Sequence, residues 1–81
     1  MSHRIVLITG AAGGLGRAVT ASVRSRGWTP VCVGRDAARL DAACGDPGIA
    51  RMVADVGTAA GAKAAVAECV RTHGVPAGLV N

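Results

Sequence analysis

The chain has 81 residues, of which 51% are hydrophobic and 17% charged, the composition of one small globular domain rather than a disordered segment. Its net charge of +4 comes from nine scattered basic residues, and the chain has one Trp and neither Phe nor Tyr. Nucleic-acid-binding surfaces cluster basic residues and stack bases on aromatic rings, so this pattern disfavours a nucleic-acid partner. The apolar run before the first glycines has only four residues, so we expect neither a signal peptide nor a membrane partner.

The cysteines indicate a reducing environment. Cys32, Cys44 and Cys69 are odd in number, widely spaced and without a Cys-x-x-Cys pair. We therefore expect buried, reduced thiols in a cytoplasmic protein. Neither histidine stands at a ligand spacing from a cysteine, so the sequence predicts no metal site.

The first half of the chain alternates strand, helix and strand. Residues 4–9 form a continuous β-branched and apolar run, which is typical of a strand buried on both faces of a parallel sheet. A helix is predicted over residues 15–26, with Gly27 as its stop, and a second strand over residues 30–34. The apolar face of this helix is predicted to comprise Leu15, Ala18, Val19, Ser22 and Val23.

The second half continues the alternation. A short helix is predicted over residues 37–44, a turn at residues 45–48 and a third strand over residues 49–54. The next helix is predicted over residues 58–73, with its first residue, a Thr, as the N-cap. Four of its residues are predicted to lie on one face, namely Ala62, Val66, Cys69 and Val70. A fourth strand is predicted within residues 76–81.

The predicted order is β-α-β-α-β-α-β, in one domain that spans residues 1–81. Strands that alternate with helices imply an α/β fold with a doubly wound parallel sheet of Rossmann type and right-handed crossovers. The pocket of such a sheet opens at the switch point, here between strands one and four. No helix follows strand four to cover it, so we expect marginal stability, or self-association through the unpaired edge of that strand.

The segment TGAAGGLG at residues 9–16 joins the first strand to the first helix and has the pattern TGxxxGxG. Gly10 allows a tight turn, Gly14 lets the backbone approach a pyrophosphate, and Gly16 lets the helix pack on the strand. The first helical turn then offers free N–H groups to phosphates. A Walker P-loop is excluded because the chain has no Gly-Lys dipeptide, and GxGxxG is also absent. The segment therefore predicts a dinucleotide site.

The choice of dinucleotide depends on the end of the second strand. Gly34 stands where an acid that binds the ribose of NAD is expected, and Arg35 follows as a planar cation suited to the 2′-phosphate of NADP. Asp36 either caps the next helix or approaches the ribose. We expect NADP to be preferred, with NAD as the alternative. Arg17 either neutralises a phosphate or is a solvated surface residue.

The chain resembles the short-chain dehydrogenase/reductase family over residues 4–81. The resemblance rests on TGAAGGLG, on Asp55 in VADV after the third strand, and on LVN at residues 79–81. It implies that Asp55 contacts adenine, although an Asp there also suits the opening of a turn, and that Asn81 is the first Asn of the family's NNAG. The implied cofactor-binding residues are Thr9, Gly10, Gly14, Leu15, Gly16, Arg35, Asp36, Asp55, Val56 and Asn81.

The resemblance also implies an NAD(P)-dependent, homo-oligomeric oxidoreductase that transfers hydride between nicotinamide and a carbonyl or alcohol. Catalysis in the family belongs to a Ser and a Tyr-x-x-x-Lys pair after strand four, supported by an Asn. The chain has no Tyr, and Lys63 lies in the wrong segment. We therefore expect no catalytic residue here, and an N-terminal cofactor-binding part that is inactive alone. The alternatives are a non-catalytic dinucleotide-binding module and an inactive truncated fragment.

Overall fold

A computed structural model of the chain describes residues 4–10, 13–44 and 48–80. The elements in chain order are β1 (Ile5–Thr9), α1 (Gly14–Ser25), β2 (Thr29–Gly34), α2 (Ala37–Cys44), β3 (Ala50–Val53), α3 (Ala59–Thr72) and β4 (Gly78–Val80). This order confirms the predicted alternation, with element ends that differ by two residues at most. Of the predicted turn at residues 45–48, only Gly48 lies within the described residues.

The four strands form one parallel sheet in the order β3-β2-β1-β4. In the middle of the sheet, Leu7 of β1 lies opposite Val31 of β2 on one side and Leu79 of β4 on the other. The strands β2 and β3 thus lie on one side of β1, and the connection from β3 to β4 places β4 on the other side. This order confirms the Rossmann-type α/β fold and places the switch point between β1 and β4, as expected.

The sheet has a buried core on each face because alternate residues of a strand point to opposite sides. One cluster joins the sheet to α1 and α2 and comprises Val6, Ile8, Val23, Cys32, Leu40 and Ile49. The other lies under α3 and comprises Ile5, Leu7, Val31, Val33 and Cys69. All five residues of β1 are buried, which explains why its sequence is a continuous apolar run.

The apolar face of α1 predicted from helical spacing is only partly buried. Its buried residues are Gly16, Thr20 and Val23, whereas Leu15 is 81% exposed. The Thr20 hydroxyl donates a hydrogen bond of 2.7 Å to the carbonyl oxygen of Gly16, which satisfies it within the helix. A small residue and a self-satisfied hydroxyl therefore form the face against the sheet, together with half-buried Val19.

The predicted face of α3 is also only partly buried. Cys69 is buried as expected, but Ala65 is its buried companion, while Val66 is 44% and Val70 47% exposed. Val66 lies beside the outermost strand, where it lines a small apolar recess of about 110 Å³ together with Leu79. Helical spacing identified an apolar stripe correctly, but the described sheet is too narrow to cover its outer side.

The helix ends agree with the sequence. Gly27 and Gly74 follow α1 and α3 with φ angles of 79° and 127°, in the left-handed region that favours glycine. The Thr58 hydroxyl accepts a hydrogen bond of 3.0 Å from the Gly61 N–H, which confirms Thr58 as the N-cap of α3. All three cysteines are free thiols, two of them buried and Cys44 half-buried. Within the described part of the chain, every helix is too short or too polar to span a membrane.

Candidate functional site

A cleft of about 620 Å³ opens at the carboxyl ends of β1, β2 and β3. Parallel α/β sheets bind ligands at this end, since the loops that leave the strands converge there. Five of the predicted site residues line the cleft, namely Gly10, Arg35, Asp36, Asp55 and Val56. Its other lining residues are Gly13, Val33, Gly34, Arg39, Ala54 and Gly57. The structure therefore brings residues from three separate loops to one cavity.

The wall formed by β1 and α1 is a tight turn. Gly10 has a φ of 65°, a conformation that L side chains rarely adopt, and its carbonyl oxygen accepts a hydrogen bond of 3.1 Å from the Gly13 N–H. A side chain at Gly14 would project into open space, since no atom lies within 4 Å of the position that a β-carbon would take. The turn thus leaves backbone accessible where the sequence predicts that a pyrophosphate approaches.

The N-terminus of α1 has polar groups available for an anion. Its N-cap, Gly13, supplies no side-chain cap, and the first turn carries no acidic residue. The first helical hydrogen bond runs from the Arg17 N–H to the Gly13 carbonyl oxygen at 3.0 Å, so the preceding N–H groups of the helix have no helical acceptor. These N–H groups and the positive end of the helix dipole suit a phosphate group. Leu15 is exposed in this turn, and Gly16 is buried against the sheet.

The wall at the end of β2 is cationic. A β-carbon at Gly34 would lie 3.3 Å from Cδ1 of Leu40, so the backbone is packed closely on its inner side. Arg35 follows and is exposed. Asp36 Oδ1 accepts a hydrogen bond of 3.1 Å from the Arg39 N–H, which makes Asp36 a cap of α2. Of the two roles left open by the sequence, the described contact is the capping one.

The wall after β3 is a turn held by Asp55. Its Oδ1 accepts a hydrogen bond of 2.9 Å from the Gly57 N–H, and its carbonyl oxygen accepts one of 3.3 Å from the Thr58 hydroxyl. Asp55 therefore opens the turn into α3, and as an exposed residue it also borders the cleft.

Gly61 supports this turn, although the sequence pattern did not identify it. A β-carbon at Gly61 would lie 1.7 Å from the carbonyl oxygen of Asp55, so only glycine allows the helix to pass this close to the loop. The available signal was a glycine three residues after the N-cap Thr58, where a helix former is expected.

Of the other five predicted residues, four lie within the described part of the chain and do not line the cleft. Thr9 is buried, and its hydroxyl donates a hydrogen bond of 3.2 Å to the carbonyl oxygen of Val80, which ties β1 to β4. Gly14, Leu15 and Gly16 belong to the first turn of α1 beside the cleft. Asn81 lies outside the described residues.

Arg39 is a second residue that the sequence pattern did not identify. It follows Arg35 by four positions and lines the same cleft. The cleft therefore has two arginines and two aspartates, with one Asp committed to a helix cap and the other to a turn. Across residues 4–10, 13–44 and 48–80, no three His, Cys, Asp or Glu side chains are grouped so as to hold a metal ion.

The fold and cleft define a Rossmann-type protein, and comparison with known families narrows this class. The family model described as short chain dehydrogenase matches residues 4–81, nearly the whole chain. The chain therefore belongs to the short-chain dehydrogenase family, which is a family of oxidoreductases. No protein of curated function matches it.

Three solved structures illustrate the similarity. A citronellol catabolism dehydrogenase from Pseudomonas aeruginosa PAO1 is 25% identical over 96% of this chain, with a TM-score of 0.85. The N-domain of a bacterial malonyl-CoA reductase, solved with NADP, is 36% identical over 96% of the chain, also with a TM-score of 0.85. A 3-ketoacyl-(acyl-carrier-protein) reductase from Brucella melitensis, complexed with NADH, is 28% identical over 94%, with a TM-score of 0.81. The chain spans 35%, 16% and 32% of these three proteins, respectively.

Proposed function

We propose that the chain is the cofactor-binding part of an NAD(P)-dependent short-chain oxidoreductase. The observation that carries this proposal is the meeting of three loops at one cleft, with Gly10, Arg35 and Asp55 on its separate walls. A dinucleotide is long and has a phosphate-rich centre, so it needs an extended cleft with anion-binding groups along it. The similar structures with NADP and with NADH support the same class of cofactor.

The residues present fit such a cofactor. The uncapped first turn of α1 would hold the pyrophosphate through Gly14, Leu15 and Gly16 N–H groups, while Thr9 and Gly10 shape the strand exit beneath it. Asp55 and Val56 would border the adenine, and Asn81 is proposed as a further cofactor-binding residue. When bound, the nicotinamide ring supplies the hydride chemistry. The protein's own residues bind and orient it.

We propose that NADP is preferred over NAD. Arg35 is exposed at the end of β2, and no acid occupies the Gly34 position to bind a free ribose hydroxyl. The Asp36 carboxylate is hydrogen-bonded to the α2 backbone, which lessens its repulsion of a phosphate nearby. NAD remains the second candidate, because one similar reductase is complexed with NADH.

We further propose that these 81 residues bind the dinucleotide without turning it over. Reduction of a carbonyl needs a proton donor of suitable pKa beside the substrate, and the chain has no Tyr to provide the family's Tyr-x-x-x-Lys pair. We therefore assign hydride transfer between nicotinamide and a carbonyl or alcohol to the whole oxidoreductase of which this chain is the proposed cofactor-binding part.

Titration calorimetry with NADPH and NADH tests the binding proposal. We expect saturable binding of both, with NADPH the tighter ligand. A Gly14→Val variant, whose side chain would enter the open space beside α1, should weaken NADPH binding about tenfold or more. Ala18→Val, at an exposed position of the same helix, is the control and should bind normally. If the native chain binds neither dinucleotide at millimolar concentration, the proposal is wrong.

A further inference from the structure

The arginines of this chain differ in whether their guanidinium groups have partners. Those with described partners are Arg4 and Arg26 over the Trp28 ring at 5.8 and 5.9 Å, Arg51 paired with Asp41 at 2.9 Å, and Arg71 paired with Glu68. By contrast, the guanidinium groups of Arg35 and Arg39 form no hydrogen bond, ion pair or ring contact with the described part of the chain. The cationic groups left without a protein partner thus include both arginines of the cleft.

Arg39 lies at the end of α2 where the helix dipole favours anions over cations. Arg39 is the third residue of α2, at the positive end of the helix dipole, and the first turn of this helix has no acidic residue. The N-cap Asp36 accepts the backbone N–H of Arg39 through Oδ1, and its carboxylate lies beyond ion-pair distance of the Arg39 guanidinium. A cation placed here is stabilised by a bound anion that interacts with the guanidinium and the helix end together.

The cavities show where such an anion would lie. Arg39 lines the 620 Å³ cleft together with Arg35, and it also lines an adjoining recess of about 540 Å³ with Gly13 and Arg17. It therefore stands at the border between the two cavities. From this position, its side chain can approach a ligand in the cleft from the α2 side, whereas Arg35 approaches it from the end of β2.

We propose that Arg39 is a specificity-determining residue that, with Arg35, binds the phosphate on the adenosine ribose of NADP from a second side. This inference rests on the proposed dinucleotide function. A phosphate monoester carries close to two negative charges near neutral pH and offers three oxygens, so it can accept hydrogen bonds from two guanidinium groups at once. NAD lacks this phosphate and gains nothing from Arg39.

Two fragments from the adenosine half of the cofactors, one with and one without the ribose phosphate, separate this inference from the binding proposal itself. Adenosine 2′,5′-bisphosphate carries the ribose phosphate, and adenosine 5′-monophosphate lacks it. Calorimetry with both ligands on the native chain, Arg39→Gln and Lys63→Gln measures the contribution of one side chain. Lys63→Gln is the matched control, since it removes the same charge from an exposed position outside the cleft.

Arg39→Gln should weaken the bisphosphate about tenfold and leave the monophosphate unchanged, because it removes charge-assisted hydrogen bonds to one phosphate. Lys63→Gln should leave both dissociation constants within about twofold of the native values, because it removes no contact with the ligand. The inference is overturned if Arg39→Gln binds the bisphosphate as the native chain does, or if it weakens both ligands equally. Equal binding of both ligands by the native chain also overturns it, while leaving dinucleotide binding intact. Binding of neither ligand by the native chain overturns both proposals.

Discussion

The surroundings of two cysteines, Cys44 at the end of α2 and Cys69 in α3, control how readily their thiols ionise. Burial, followed by the hydrogen bond with Cys32, raises the pKa of the Cys44 thiol to about 11. Burial also raises the pKa of the Cys69 thiol. Both groups are therefore held in the neutral form in the folded protein at neutral pH, which makes them poor nucleophiles.

Alkaline pH should destabilise the fold through these thiols. Between about pH 9 and 11 the Cys44 thiol ionises in the unfolded chain but stays protonated in the folded one, so the free energy of unfolding falls as pH rises. Urea unfolding at about pH 8 and about pH 10 measures the fall. A variant with Cys44→Ala and Cys69→Ala should lose less stability over this interval. An equal loss in the variant and the native chain would show that the thiols are not responsible.

At the scale of single elements, the approach of α3 to the turn after β3 depends on one glycine. Gly61 lies where a β-carbon would overlap the carbonyl oxygen of Asp55, and the obstacle is backbone, which cannot rotate away as a side chain can. The N–H of Gly61 also completes the Thr58 cap. The start of α3 and the wall of the cleft are thus one structural unit.

Gly61→Ala should therefore displace this unit. We expect a loss of about 1–3 kcal/mol in the free energy of unfolding, the usual range for overpacking, together with weaker dinucleotide binding. Gly78→Ala is the control, because no atom lies within 4 Å of the β-carbon it would add. Thermal melts of both variants give the comparison. A Gly61→Ala variant as stable as the native chain would contradict the observed packing.

Sequence patterns predicted the elements well because strands and helix ends are local features. The β-branched run in residues 5–9 and the glycines at positions 27 and 74 follow from backbone preferences alone. The faces of α1 and α3 were less predictable, since burial depends on which strands lie beneath each helix. Thr20 is buried and Leu15 exposed for this reason, although hydrophobicity favours the reverse.

The site residues also divide into those that local sequence patterns identified and those that they missed. The turn glycine Gly10 and the loop residues Arg35 and Asp55 were identified from their places in a motif, and all three line the cleft. Gly61 and Arg39 were missed, because their importance depends on a close approach of α3 and on the position of α2 beside the cleft. Such distances between elements are not visible in spacing along one strand or helix.

At the scale of the whole molecule, β4 is an edge strand with apolar surroundings. It pairs with β1 on one side and with none of the described strands on the other. Leu79 is 63% exposed, and Val66 and Val70 of α3 are also exposed. An unpaired strand with apolar neighbours is a template for pairing with another chain. We propose that the 81-residue chain self-associates through this edge.

Leu79→Lys should reduce this self-association, because a charged residue on an edge strand opposes pairing with a second copy. Sedimentation over a range of concentrations is the measurement, and the expected result is a shift from oligomer towards monomer. Leu15→Lys is the control, since Leu15 is 81% exposed but lies on α1, away from the edge. A native chain that is monomeric at all concentrations would contradict the proposal.

The most direct test of the proposed function is to locate NADP⁺ on the folded chain by NMR titration of its backbone amides. Saturable shifts should be largest at the cleft, in Gly10, Gly13, Gly34, Arg35, Asp55 and Gly57. The amides in the second half of α3, which lies under the opposite face of the sheet, should be almost unchanged. Saturable shifts centred on that half of α3 and on β4, or no saturable shifts at all, would contradict a dinucleotide site in this cleft.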